Sequence, residues 1–252
     1  MLKNILKRII PKIQEFEYGN LYSSRTVIKN QYINKEATAG YYGEDIWGIV
    51  DKEVKDKIEP GISLYGEIVG FLPSGKHIQK GYDYGCDSVI DFGRHGSTTQ
   101  PSHKFLVYRI TYTKPDGNVI EFSWQQIKNY CQKYQLEHVK ELYFGKASDL
   151  RKFLITTTDQ QLEAIVPISN NDVWRDEVFK FLQTVYLEKD CKYCVNKVPA
   201  EGIVVRRDGL ETYSAYKLKS KRFLEKESKQ LDEEAKSGEI NIEDNETTSN
   251  NL

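Results

Sequence analysis

No stretch of this chain approaches the roughly 18–20 consecutive apolar residues that a membrane-spanning helix needs, so no membrane partner is expected. The start, Met1–Ile13, mixes lysines with apolar residues but lacks a cleavage site of small residues, which argues against a secretory leader. Cysteine is scarce: Cys86, Cys131, Cys191 and Cys194 are the whole set. Sparse cysteines without a leader fit a reducing compartment, and a cytoplasmic protein is expected. Cys191-x-x-Cys194 is half of a zinc-binding spacing, but a structural site needs four ligands. No second C-x-x-C and no H-x₃-H is present; Cys86 or a lone histidine would have to complete the set, and nothing requires it. Internal repeats and an interdomain linker are also missing.

What is present suits one soluble α+β body. Apolar residues make up 39% and aromatics 12% of 252 residues, enough for a sizeable core. The formal charge of −1 hides an asymmetry. Residues 225–252 carry nine acids against three lysines, which leaves the rest of the chain net positive and able to meet phosphates. Three regions follow: an N-terminal helix over 1–20, a main domain over 21–224, and an acidic helix with a disordered tail over 225–252. In the first, Leu2, Ile5, Leu6, Ile9, Ile10 and Ile13 recur at helical spacing, and the helix is expected to end near Pro11 and pack on the domain.

Within the main domain, Thr26–Ile33 and Trp47–Val50 read as strand or loop, and Asp51–Ile58 as a helix. Residues 72–104 form a long connection. Trp124–Tyr134, Leu136–Tyr143, 147–154 and 172–187 have helical composition. Lys114-Pro115-Asp116-Gly117 separates two runs of strand character and reads as a hairpin turn, with Pro presetting φ and Gly accepting a positive φ.

Four short strands carry the chemistry. In Leu64–Gly70, alternation puts Tyr65, Glu67 and Val69 on one face; in Phe105–Ile110 it aligns Leu106, Tyr108 and Ile110. Glu201-Gly202-Ile203-Val204-Val205-Arg206 opens on a carboxylate. Tyr216-Lys217-Leu218-Lys219 puts Lys217 and Lys219 on one face and turns Tyr216 and Leu218 toward a core. Two lysines beside a carboxylate able to hold a divalent cation suit a polyphosphate. The plain alternative is an amphipathic hairpin with solvated lysines.

In this order, a Y-G-E strand, an aromatic strand, an E-G-I-V strand and a K-x-K strand resemble the covalent nucleotidyltransferases, the polynucleotide ligases and mRNA-capping enzymes. Tyr22-Ser23-Ser24-Arg25 is similar to the Ser-Arg element that precedes them. Over residues 21–224 the chain most resembles phage-type and bacterial ATP-dependent RNA ligases.

The resemblance implies a two-sheet, ATP-grasp-like nucleotidyltransferase core with peripheral helices. No OB-fold is expected, since too little chain follows Lys221. It implies ATP, Mg²⁺ or Mn²⁺, and RNA ends as partners. Glu67 would bond the ribose, Tyr108 would stack on adenine, and Glu201 would help hold the metal. Lys217 and Lys219 would neutralise the α-phosphate, and Arg25 would contact a phosphate or the RNA terminus. Plain readings stand beside these: a surface acid, a core tyrosine and a solvated arginine. Arg109 departs from the pattern, standing where RNA-ligase relatives often carry an acid.

One family element is missing. The nucleophilic lysine of a K-x-[DHN]-G motif belongs upstream of the Ser-Arg element. Lys3, Lys7 and Lys12 precede it here, and none has that sequel. Lys114-x-Asp116-Gly117 matches literally but falls after the aromatic strand, out of family order. The expectation is an RNA ligase domain, inactive alone, that is either truncated at its start or completed by a separate upstream polypeptide carrying the lysine. The alternative is a non-catalytic nucleotide- or RNA-binding pseudo-ligase.

Overall fold

The structure, a computed structural model, describes residues 20–24, 28–29, 43–88, 101–146, 178–210 and 212–237, the last seven by backbone alone. Met1–Ile13, Arg25, residues 147–154, Trp174 and the tail beyond Ser237 lie outside the described residues. The chain divides into two compact units, Met1–Asp56 and Lys57–Leu252.

In the first unit, helix α1 spans Ile46–Val54. The Asp45 carboxylate caps it, accepting from the Gly48 amide at 2.9 Å and from the Tyr22 hydroxyl at 3.2 Å. Trp47–Val50, expected as strand or loop, is therefore helical. The cap satisfies first-turn amides, and Ile46, Val50 and Val54 recur at helical spacing on the buried side. A 3₁₀ turn, Lys55–Lys57, follows.

The second unit holds two sheets. The first is centred on β1 (Ile62–Gly70) and β2 (His103–Thr113), which run antiparallel. β3 (Val119–Glu121) continues the sheet through the turn at Lys114–Gly117. That turn is closed by the Gly117 amide on the Lys114 carbonyl at 2.9 Å and the Lys114 amide on the Asn118 carbonyl at 2.8 Å. Gly117 takes φ 87°, the positive angle expected of it.

Helix α2 (Trp124–Tyr134) packs on one face of this sheet. Ser123 and Gln126 form a reciprocal capping box at its start. Its Trp124, Ile127, Tyr130 and Cys131 meet Val107 and Ile110 to form the main core. Gln135 adopts a left-handed φ of 52° and stops the helix. Leu136–Tyr143, expected as helix, instead begins with a two-residue strand, β4 (Glu137–His138), which pairs parallel with β2 at Leu106 and Val107. The reversal at Gln135 turns the chain onto a free sheet edge, where pairing outweighs helical composition.

Alternation fails at one point in β2. Tyr65 pairs with Arg109, but the next residue, Gly66, pairs with Val107, so Tyr108 is an extra residue in a bulge. Beyond a bulge the two-residue period changes phase. Leu106, Tyr108 and Ile110 consequently do not share a face: Ile110 lies with Val107 against α2, and Leu106 pairs with Glu67 on the opposite face.

Among the described residues the second sheet is a two-stranded antiparallel hairpin, β5 (Gly202–Arg207) and β6 (Ser214–Lys219). Helical residues 178–182 and a π-helical turn, Gln183–Leu187, precede it, and helix α3 (Lys221–Ser237) follows. Tyr216, expected to point into a core, is 65% exposed. It pairs with Val205 at the part of the hairpin away from Ile203 and Leu218, and no described element covers it there. The described residues are thus α+β, with helices beside two sheets.

Candidate functional site

Each sheet contributes one face. On the first, β-pairing sets Tyr65, Glu67, Leu106, Arg109 and Glu121 on the side away from α2. The bulge presents Tyr108 beside them at 39% exposure. Burial raises the Tyr108 phenol's pKa, and the nearby negative charge of Glu67 adds to the rise. The two residues that the resemblance assigns to the nucleoside are thus neighbours.

On the hairpin, Val204 pairs with Lys217 and Gly202 with Lys219, so both lysines share a face with Arg206. Glu201 stands immediately before β5, and its carboxylate accepts from the Lys217 ammonium. Lys219 lies 3.3 Å from Glu227 of α3. These pairs are exposed and contribute little to stability. They do hold two ammonium groups in one region, each against a carboxylate. Arg25 lies outside the described residues.

Two motif glycines are required by space. A Cβ on Gly202 would sit 1.9 Å from the Leu218 carbonyl oxygen across the hairpin. One on Gly66 would sit 2.4 Å from the Phe105 ring and 2.8 Å from the Leu106 carbonyl oxygen. The glycines of Y-G-E and E-G-I-V therefore let adjacent strands approach beside Glu67 and Glu201.

The two faces are joined by arginines. Arg109 forms a two-point ion pair with Glu121, Nε to Oε1 at 3.0 Å and Nη2 to Oε2 at 2.9 Å. Burial alone would lower the Arg109 pKa; the Glu121 hydrogen bonds and negative charge together outweigh it and raise the value. Arg206 of β5 lies 3.8 Å from the same Glu121 and 3.3 Å from Asp208, and donates to the Phe122 carbonyl. Asp208 also accepts from the Trp124 amide at 2.9 Å, at the start of α2.

Ser220 was overlooked in the sequence although it follows the K-x-K motif directly. Fully buried, it donates to the Ala200 carbonyl at 2.7 Å and accepts from the Phe223 amide at 3.0 Å. It ties the loop before Glu201 to the first turn of α3. Glu121 and Arg206 were missed as well, because their role depends on long-range pairing. In the first unit, Lys29 is 2% exposed, with its ammonium 4.6 Å from the Trp47 ring centroid.

The loop carrying Cys191 and Cys194 runs into Glu201. Val195 donates to the Asp83 carbonyl at 2.7 Å, and the Cys191 amide to Val198 at 2.8 Å. A hydrogen bond from Cys194 holds the Cys191 thiol down to about 6, while the Cys194 thiol is pushed up. Among the described residues no group of three or more His, Cys, Asp or Glu is gathered for a metal. Glu201 alone fits a magnesium ion of the kind that takes one or two protein carboxylates and completes its shell with substrate phosphates and water.

Both halves of this arrangement lie within residues 18–222, which match the RNA ligase family model, and the chain belongs to that family. No curated protein matches it.

Proposed function

We propose that residues 57–224 form the nucleotide pocket of an ATP-dependent RNA ligase joining RNA 5′-phosphate and 3′-hydroxyl ends, on a nucleotidyltransferase core. The observation that carries this reading is the common face of Lys217 and Lys219, with Glu201 in contact with Lys217. Glu67 takes the ribose, Tyr108 stacks on the base, and the two lysines offset charge at the α-phosphate. Arg25 meets a phosphate or the RNA terminus. Bound magnesium, held partly by Glu201, would neutralise charge building on the leaving pyrophosphate.

In the reaction, a lysine amine attacks the α-phosphorus, a P–N bond forms, and pyrophosphate leaves. The adenylate then passes to the RNA 5′-phosphate, and the 3′-hydroxyl displaces AMP. No K-x-[DHN]-G lysine stands in family order within this sequence, and this reading requires the amine to come from an upstream segment, in the same or a separate polypeptide. The pseudo-ligase reading draws on the same absence.

Calorimetry with Mg-ATP tests the pocket. Lys217→Ala, Lys219→Ala and Glu201→Ala should each weaken binding, roughly ten- to a hundredfold for a charge-assisted contact. Unchanged affinity in all three would sink the assignment. Labelled ATP tests the chemistry: the chain alone should stay unlabelled and become adenylylated when a K-x-D-G segment is supplied. A label on Lys29 or Lys114 would overturn the external-lysine reading, and a persistent lack of label with tight ATP binding would favour the pseudo-ligase.

A further inference from the structure

We propose that Arg109 is a positioning residue that sets the spacing between the nucleoside and phosphate halves of the site, so that Mg-ATP binds as one ligand. The inference rests on the nucleotide reading above. The Arg109 guanidinium carbon lies 4.5 Å from the Tyr65 ring centroid and 4.3 Å from that of Tyr213. Tyr65 is two residues from Glu67 on the same face of β1. Tyr213 directly precedes β6, the strand of Lys217 and Lys219. A single planar cation is therefore stacked between one residue of each half.

Its other contacts fix it in that plane. The two-point bond to Glu121 sets the orientation of the guanidinium, and the Glu121 side chain is only 6% exposed. Arg206 closes the same cluster from the hairpin side, 5.5 Å from the Tyr213 ring centroid and 3.8 Å from Glu121. The hairpin has two strands among the described residues, so its own pairing does little to orient it against the first sheet. Arg206 on Phe122 and Asp208 on Trp124 tie the end of β5 to the first sheet, and the stack adds the contact at Tyr213, next to the lysine strand. Lysine cannot replace Arg109, because an ammonium group neither stacks flat on a ring nor bonds a carboxylate at two points. Arg109 follows Tyr108, but its Nε and Nη2 bond Glu121 and its guanidinium lies against two tyrosine rings, which gives the unusual base at this position a role away from the ligand.

When two contacts belong to one ligand, the second forms at an effective concentration set by their spacing. Loosening the spacing weakens the linked ligand and spares its parts. The test compares Mg-ATP, adenosine and Mg-tripolyphosphate on the full chain, by calorimetry for the first and NMR titration for the others. In Arg109→Lys, adenosine and tripolyphosphate should bind within about twofold of the parent, while Mg-ATP weakens roughly tenfold or more. Tyr213→Leu should give the same pattern and Tyr213→Phe should restore parental binding; this pair decides the matter if Arg109→Lys does not fold. Equal weakening of all three ligands, or no change, would overturn the inference alone. Failure of the parent chain to bind Mg-ATP would remove the nucleotide reading and this inference with it.

Discussion

Glu121 lies between two guanidinium groups, with Arg109 at 2.9 Å and Arg206 at 3.8 Å. Removing one member of a buried charge cluster leaves the others unpaired, which typically costs about 3–5 kcal/mol. Arg109 keeps a quarter of its side chain in water, so Glu121→Ala should cost about 3 kcal/mol in urea unfolding. A loss under about 1 kcal/mol would show that the cluster is solvated and weak. The second residue-scale prediction concerns Cys191, whose thiol is held down to about 6 by the Cys194 hydrogen bond. The thiolate is the reactive form. At pH 7 Cys191 should therefore alkylate fastest, and its rate should fall as pH drops through about 6. Burial raises the thiols of Cys86 and Cys131, so they should react slowly. Mass spectrometry of iodoacetamide-treated protein checks this; a midpoint near the ordinary value of about 8.5 would contradict it.

Among the elements, the β5–β6 hairpin has the least tolerance. The Leu218 carbonyl that a Gly202 side chain would meet belongs to the partner strand and cannot turn aside without breaking the ladder. Gly202→Ala should disrupt the hairpin, lower the melting temperature and abolish Mg-ATP binding, whereas Gly117→Ala, with open space around it, should be mild apart from its positive φ. Equal effects of the two substitutions on ATP binding would contradict the packing argument. Several elements could be read directly. The α2 helix was legible in the helical composition of Trp124–Tyr134, though not its Ser123 cap, and the Lys114–Gly117 turn in Pro-Asp-Gly. β4 was not, because its composition is helical and the deciding event is the reversal at Gln135. The start of α1 was missed although its signal is local: Asp45 caps the helix through the Gly48 amide three residues on.

At the scale of the molecule, the two sheets of residues 57–252 should differ in local stability. The first is buried against α2 through Val107, Ile110 and Ile127, all fully buried. The second exposes Val204 and Tyr216, and two strands alone are marginal in water. Hydrogen exchange should be slowest in the centre of β2 and much faster in β5–β6, because opening free energies follow buried contacts. Mg-ATP should slow exchange in the hairpin, since a ligand that binds only the closed form adds its binding free energy. Equal protection of both sheets without ligand would contradict this picture.

The sequence by itself determined the order of the motifs, the strands that carry Glu67, Tyr108, Lys217 and Lys219, the Glu201 that precedes β5, and the family. Those features reside in short segments whose periodicity and glycine spacing are local. Tertiary structure alone decided the phase of β2, where one bulged residue separates Leu106 from Ile110 and frees Tyr108. It also decided that Tyr216 stays exposed and that Arg109 is stacked between Tyr65 and Tyr213. The physical reason is range. Alternation and turn chemistry act over a few residues, whereas a bulge, an uncovered strand face and a shared ion pair depend on partners dozens of residues away.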